Sequence, residues 1–241
     1  MDDLLIVINT CKQYLLDSKN NVTLFKTLKA NFNNVIVVSA QETDNKVIYI
    51  EGIPVYKVKY SGLHHTGAIY INENYDKFNK FKYFLFLPDT IYIGYNFKEN
   101  VLKYYNKHLK DENIQILGLI DPAIRPTMDM GIFNIEHIHN SSEYLSKIKT
   151  FDCSKENLLQ LKQLLIFDEN TLFGIPITKE GSNYIIKIKD NSMFFICNDI
   201  KDIIEKQISN KSNLIYISPL DLYKVQRNFR GPYDNLVIDY K

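Results

Sequence analysis

The chain opens on Leu4-Leu5-Ile6-Val7-Ile8, an unbroken apolar run that ends at Asn9-Thr10. Runs of this length and continuity belong to strands buried on both faces, as in a parallel sheet covered by helices. Residues 12–32 carry Tyr14, Leu15, Val22, Phe25 and Leu28 at gaps close to the helical period, which predicts one or two helices with a break near 18–21. Val35-Ile36-Val37-Val38-Ser39 is a second buried strand. Strand, helix, strand is a βαβ opening, whose crossover is almost always right-handed. Residues 47–50 and 53–58 read as short strands turned at Glu51-Gly52. A polar, glycine-bearing stretch, Ser61 to Ala68, leads into a helical segment over 68–81. Tyr83-Phe84-Leu85-Phe86-Leu87 is the most apolar strand of the chain and stops at Pro88-Asp89-Thr90.

Beyond this point the pattern predicts a helix over 96–108, a strand over 114–120 and an irregular segment over 123–134. Helices follow at 143–149 and 155–165. Three antiparallel strands are expected near 175–177, 184–188 and 193–196, then a helix at 199–208, a strand at 214–217 and a helix at 220–227. The fold class is α/β: a Rossmann-like, mostly parallel sheet flanked by helices, with a C-terminal α+β elaboration. Residues 1–140 form the expected binding core and 141–241 an extension, most economically as one continuous domain.

In open α/β sheets ligands bind outside the carboxyl ends of the parallel strands. The residues there are Asn9 and Thr10, then Ser39 to Asp44, then Pro88-Asp89-Thr90, then Asp121. A carboxylate fixed at a buried strand end suits a hard cation such as Mg²⁺ or Mn²⁺, which can neutralise a diphosphate. His64-His65-Thr66-Gly67 precedes a helix, where free N–H groups attract phosphate; the pattern leaves open which histidine faces a ligand. His137 and His139 share a face if the chain there is extended, and could add metal ligands. Asp121 and Asp129 are candidate general bases beside Arg125.

Composition narrows the class. The 241 residues carry 29 Lys+Arg against 28 Asp+Glu, a net charge of +1, which argues against a dedicated nucleic-acid binder. Cys11, Cys153 and Cys197 are odd in number and far apart, so neither a zinc site nor a disulfide framework is expected. No apolar run reaches the roughly 20 residues of a membrane helix, and Leu4 to Ile8 is too brief for a signal-peptide core. A cytoplasmic protein is the expectation. No G-x-G-x-x-G, G-x-x-x-x-G-K-[ST] or G-x-S-x-G motif occurs, which disfavours dinucleotide, P-loop and hydrolase chemistry.

The order of elements over residues 4–135 resembles the nucleotide-sugar glycosyltransferases of the GT-A fold. The matching pieces are LLIVINT, VIVVSAQETD, HHTGAIYIN and YFLFLPDT. In that family a small-residue helix precedes a hydrophobic strand ending in Asp-x-Asp. The resemblance implies that Asn9, Thr10 and Glu42 or Asp44 hold base and ribose. It implies that His65, Thr66, Gly67 and Asp89 lie at the diphosphate, and that Mn²⁺ or Mg²⁺ is held by Asp89 with help from His137 or His139. Asp121 or Asp129 would be the base of an inverting enzyme. One carboxylate stands where the family usually has two. The implied activity is transfer of a sugar from a nucleotide-diphosphate donor to an acceptor hydroxyl on a glycan. The alternatives are a sugar nucleotidyltransferase, or a non-catalytic interaction protein on a degenerate GT-A scaffold.

Overall fold

The computed structural model describes residues 1–15, 19–109, 116–118, 130–150, 177–180, 183–186, 193–195, 214–218 and 220–225. β1 (Leu4–Cys11), β2 (Val35–Ala40) and β5 (Tyr83–Pro88) are the three long apolar runs, and each is buried along nearly its whole length. They are continuous in sequence because both faces are covered. β1 lies between the other two and is parallel to both. β4 (Ile53–Lys57) continues the parallel set beyond β2, and β3 (Lys46–Ile50) closes that edge as an antiparallel hairpin partner. The hairpin turns at Glu51-Gly52, both left-handed (φ 50° and 74°), as a two-residue turn of this twist requires.

On the other side of β5 come β8 (Gly131–Asn134), antiparallel to it, then β7 (Ile116–Gly118) and β11 (Met193–Phe195). The eight strands run in the order β11-β7-β8-β5-β1-β2-β4-β3. The fold is therefore the expected α/β, mostly parallel sheet with helices on both faces.

α1 (Lys19–Asn31) covers one face, burying Leu24, Phe25 and Leu28 against Ile6, Ile8, Val37, Leu85 and Leu87. α4 (Phe97–Tyr104) joins it there through Phe97 and Val101. The opposite face packs Leu5, Val7, Val38, Phe84 and Phe86 under α2 (Thr66–Glu73), α3 (Tyr75–Phe78), α5 (Ile135–Asn140) and α6 (Ser142–Lys149). Alternate side chains of each strand thus feed two separate apolar layers.

A second sheet pairs β6 (Ile91–Ile93) with β13 (Leu222–Val225), which pairs in turn with β12 (Leu214–Ser218). β9 (Ile177–Glu180) and β10 (Asn183–Ile186) form the expected antiparallel hairpin.

Several expectations are corrected. Residues 222–225 are a strand: their partner β6 satisfies their backbone in extended form, which the apolar spacing alone did not reveal. β11 runs parallel to β7 in the main sheet and is not part of an antiparallel unit. Residues 131–134, expected irregular, are a sheet strand. Residues 137–139 are helical, not extended. The expected helices at 155–165 and 199–208 lie outside the described residues.

Candidate active site at the carboxyl edge

Connections leaving β1 run toward β2 on one side, while β5, entered after β4, lies on the other. The order reverses between β1 and β5, and α1 and α2 flank that point on opposite faces of the sheet. Such a switch point opens a crevice at the carboxyl ends of its two strands. Asp89 and Thr10 meet there: Thr10 Oγ1 donates to Asp89 Oδ2 at 2.6 Å, and the Asp89 N–H donates to the Asn9 carbonyl at 3.0 Å. The Asp89 residue is half-buried. Its carboxylate points across the strand pair toward β1, not outward along its own loop.

Asn9 faces the other way, toward α2, because side chains alternate along β1. It is 4% exposed. Its Oδ1 accepts from the Gly67 N–H at 2.7 Å, and its Nδ2 donates to the His64 carbonyl at 2.7 Å. Both ends of the amide are spent on the segment that starts α2. A Cβ on Gly67 would lie 2.6 Å from Asn9 Oδ1 and 2.7 Å from Val7 Cγ1, so only glycine allows this approach. Thr66, fully buried, accepts from the Gly62 N–H at 3.0 Å and donates to the Leu63 carbonyl at 2.8 Å.

Asn9 and Gly67 thus fasten the α2 start to β1, while Thr66 bonds within the segment itself, to Gly62 and Leu63. His65 is buried, 3% exposed, with its ring edge-on to Tyr144 of α6 at 5.8 Å. The neighbouring His64 is the half-exposed member of the pair, its ring 4.2 Å from that of His65.

Farther along the same edge, Glu42 is buried while Asp44 is exposed. Glu42 Oε1 accepts from Ser39 Oγ at 2.7 Å and Oε2 from the Lys57 ammonium at 3.0 Å. The loop that carries it is pinned by Gln41 N–H to the Tyr60 carbonyl and Glu42 N–H to the Val58 carbonyl. Lys57 is a residue of this edge that sequence reasoning did not single out. Its position at the end of β4, one strand beyond Ser39, was the signal available.

His137 and His139 are not brought to Asp89. β8 is antiparallel to β5 with Asn134 opposite Tyr83, so α5 begins at the amino edge of the sheet. Six residue steps separate that edge, at Tyr83, from Asp89, about 20 Å at strand rise. There His137 stacks on Phe133 at 6.1 Å and His139 packs against Tyr75 at 4.8 Å. This placement sets these histidines at the opposite edge of the sheet from Asp89. Among the described residues no three His, Cys, Asp or Glu side chains cluster as a metal cage. One carboxylate at a switch point still suits a cation that takes its remaining ligands from substrate phosphates. Asp121, Arg125 and Asp129 lie outside the described residues.

No protein-family model and no curated protein matches the chain. Among solved structures it is similar to a glycosyltransferase involved in the glycosylation of the major capsid of PBCV-1, with 14% identity over 68% of this chain and 76% of that one, at a TM-score of 0.42. It is also similar to a cytidylyltransferase from Leptospira borgpetersenii serovar Hardjo-bovis (strain JB197), with 13% identity over 71% of this chain and 73% of that one, at a TM-score of 0.43.

Proposed function

We propose that this protein is a glycosyltransferase that moves a sugar from a nucleotide-diphosphate donor to an acceptor hydroxyl on a glycan. The observation that carries the reading is the Asp89–Thr10 pair at the β1/β5 switch point. A crevice at that place is where open α/β sheets take nucleotides. A carboxylate locked in position beforehand is what a diphosphate-bound cation requires.

In this reading the donor lies across the carboxyl edge, its diphosphate at β5 and its nucleoside toward β2 and β4. Asp89 would hold a Mg²⁺ or Mn²⁺, which supplies charge neutralisation for the departing nucleoside diphosphate. Thr10 fixes the carboxylate by its hydrogen bond and leaves it no rotation to make when substrate arrives. Asn9 and Gly67 hold the wall of the crevice on the α2 side. Asp121 and Asp129 remain the proposed bases for the acceptor hydroxyl.

Thermal-shift titration with UDP, GDP, CDP and ADP, each with and without Mn²⁺, tests the reading at low cost. Stabilisation by at least one of them, lost in Asp89→Asn, is expected. Transfer from the matching nucleotide sugar to a glycan acceptor is the second measurement. Absence of stabilisation by all four overturns the proposal. Release of pyrophosphate from a nucleoside triphosphate and a sugar phosphate would replace it with nucleotidyl transfer.

A further inference from the structure

β3 ends the main sheet: among the described residues it pairs with β4 and with no other strand. Edge strands of monomers are usually blunted by a proline, a bulge or a charge in mid-strand. β3 reads Lys46-Val47-Ile48-Tyr49-Ile50, pairs with β4 without a bulge, and carries its one charge at its start. Ile48 and Ile50 turn toward the apolar layer under α1. Val47 and Tyr49 alternate with them onto the other face, where they stay 48% and 73% exposed. Two of the four large apolar side chains exposed among the described residues thus share one face of one strand.

The backbone of the same two residues faces outward. Ile50 and Ile53 close the two-residue turn, which makes them a hydrogen-bonded pair. Pairs alternate along an antiparallel ladder, so Ile48–Val55 and Lys46–Lys57 are hydrogen-bonded too, while Tyr49–Pro54 and Val47–Tyr56 are not. Pro54 has no N–H to give to Tyr49 and stands where none is needed. The N–H and C=O groups of Val47 and Tyr49 therefore point away from β4, out of the open edge.

We propose that this edge binds a second copy of the chain, β3 against β3 in antiparallel, about a twofold axis at Ile48. That register sets Val47 opposite the partner subunit's Tyr49, and Tyr49 opposite the partner subunit's Val47. Each of these two pairs exchanges two backbone hydrogen bonds and sets a β-branched side chain against an aromatic one, a favourable cross-strand match. Charge agrees. Lys46 is exposed at one end of the strand, and Glu51 is exposed just past the other. An antiparallel self-pair brings the positive end of one copy to the negative end of the next, whereas a parallel one sets like charge on like. Glu51 also meets Lys26 of its own chain at 3.5 Å, an exposed pair of little energy. Five residues a side make a small interface, so dissociation in the micromolar range is expected. Four inter-strand gaps, about 19 Å, separate β3 from β5, so the contact stays clear of Asp89 and does not rest on the reading of that residue.

Sedimentation velocity of the full chain across the micromolar range should show a monomer–dimer equilibrium. Tyr49→Lys changes an exposed side chain that the twofold axis counts twice; it should weaken association about tenfold or more, with the melting temperature nearly unchanged. Ile48→Cys tests the register. Position 48 meets itself on the axis as a non-hydrogen-bonded pair, where Cα atoms approach to about 4.5 Å, within disulfide reach. Mild oxidation should link Ile48→Cys chains into a reducible dimer. It should not link the wild type, Lys46→Cys or Ile50→Cys, since positions 46 and 50 lie about 14 Å from their own equivalents in this register. A wild type that stays monomeric throughout, a dimer indifferent to Tyr49→Lys, or failure of Ile48→Cys to cross-link overturns the proposal. Protection of the Val47 and Tyr49 amides from hydrogen exchange in the monomer would assign the edge to another part of the same chain and overturn it as well.

Discussion

Thr10 Oγ1 and Asp89 Oδ2 sit 2.6 Å apart across parallel strands, although 79 residues separate them in the chain. The bond exists because the Ile8–Leu87 pairing brings the next polar positions of both strands out of the core together. Removing either partner should therefore affect ligand handling more than folding. Asp89→Asn should lower transfer by about 10²–10³-fold, the usual cost of losing one electrostatic stabiliser. Thr10→Val keeps the shape and should cost about tenfold in metal-dependent binding, with the melting temperature nearly unchanged. Steady-state rates and calorimetric melts on both variants check this.

Gly67→Ala should be destabilising. The new methyl meets Asn9 Oδ1 and Val7 Cγ1 inside 3 Å, and β1 cannot retreat without disturbing two strand pairings. A loss of about 1–3 kcal/mol is expected from overpacking. Urea denaturation measures it. Asn9→Ala in the same background should not recover that loss, since it removes the two hydrogen bonds that hold the α2 start and leaves Val7 Cγ1 in the way.

Glu42→Gln and Lys57→Met singly should each be more harmful to stability than the double variant Glu42→Gln/Lys57→Met. Breaking a buried pair strands the remaining partner at a cost of about 3 kcal/mol, whereas neutralising both leaves no uncompensated charge. The double-mutant cycle by chemical denaturation gives the coupling. Additive effects of the two single changes would contradict the geometry at the end of β4.

Alkaline pH should loosen the helical layer over α2. Burial raises the Tyr70 hydroxyl to about 12. Burial and the Glu73 carboxylate hold Tyr60 higher still. Burial, then the hydrogen bond to Asp3, raises Tyr105 on the opposite face. These groups stay neutral in the fold and ionise more readily when unfolded. Their contribution is fully present below pH 10 and is lost as pH rises from 10 through 12 and beyond. Absorbance at 295 nm should show these tyrosines titrating late, together with loss of the folded signal. A single transition of all tyrosines near pH 10 with the fold intact would contradict the burial.

The strands at the switch point were legible because burial on both faces leaves no alternation to confuse: Leu4 to Ile8 and Tyr83 to Leu87 read as what they are. The place of Asp89 just past a buried strand was legible for the same reason, as the first carboxylate after such a run. What Asn9 does was not, since a polar residue at a strand end carries no mark of which face it takes. Its partner, the Gly67 N–H, lies 58 residues on. Residues 220–227 were misread because Leu220, Leu222 and Val225 fit a helical spacing nearly as well as a strand. Pairing with Ile91 to Ile93, far away in sequence, decided the matter. The extended conformation assumed at 137–139 gave way for a local reason: Asn134 accepts from the Glu136 N–H at 2.8 Å and starts a helix there.

Asp221 closes the second sheet onto the loop after Asp89. Its carbonyl accepts from the Gly94 N–H at 2.8 Å, its carboxylate accepts from the Asn96 N–H at 2.9 Å, and no side chain fits at Gly94 beside it. A ribosome must therefore deliver residue 221 before the segment downstream of Asp89 can settle. A nascent or truncated polypeptide lacking the last hundred residues would carry β6 with a bare edge, open to association with other chains.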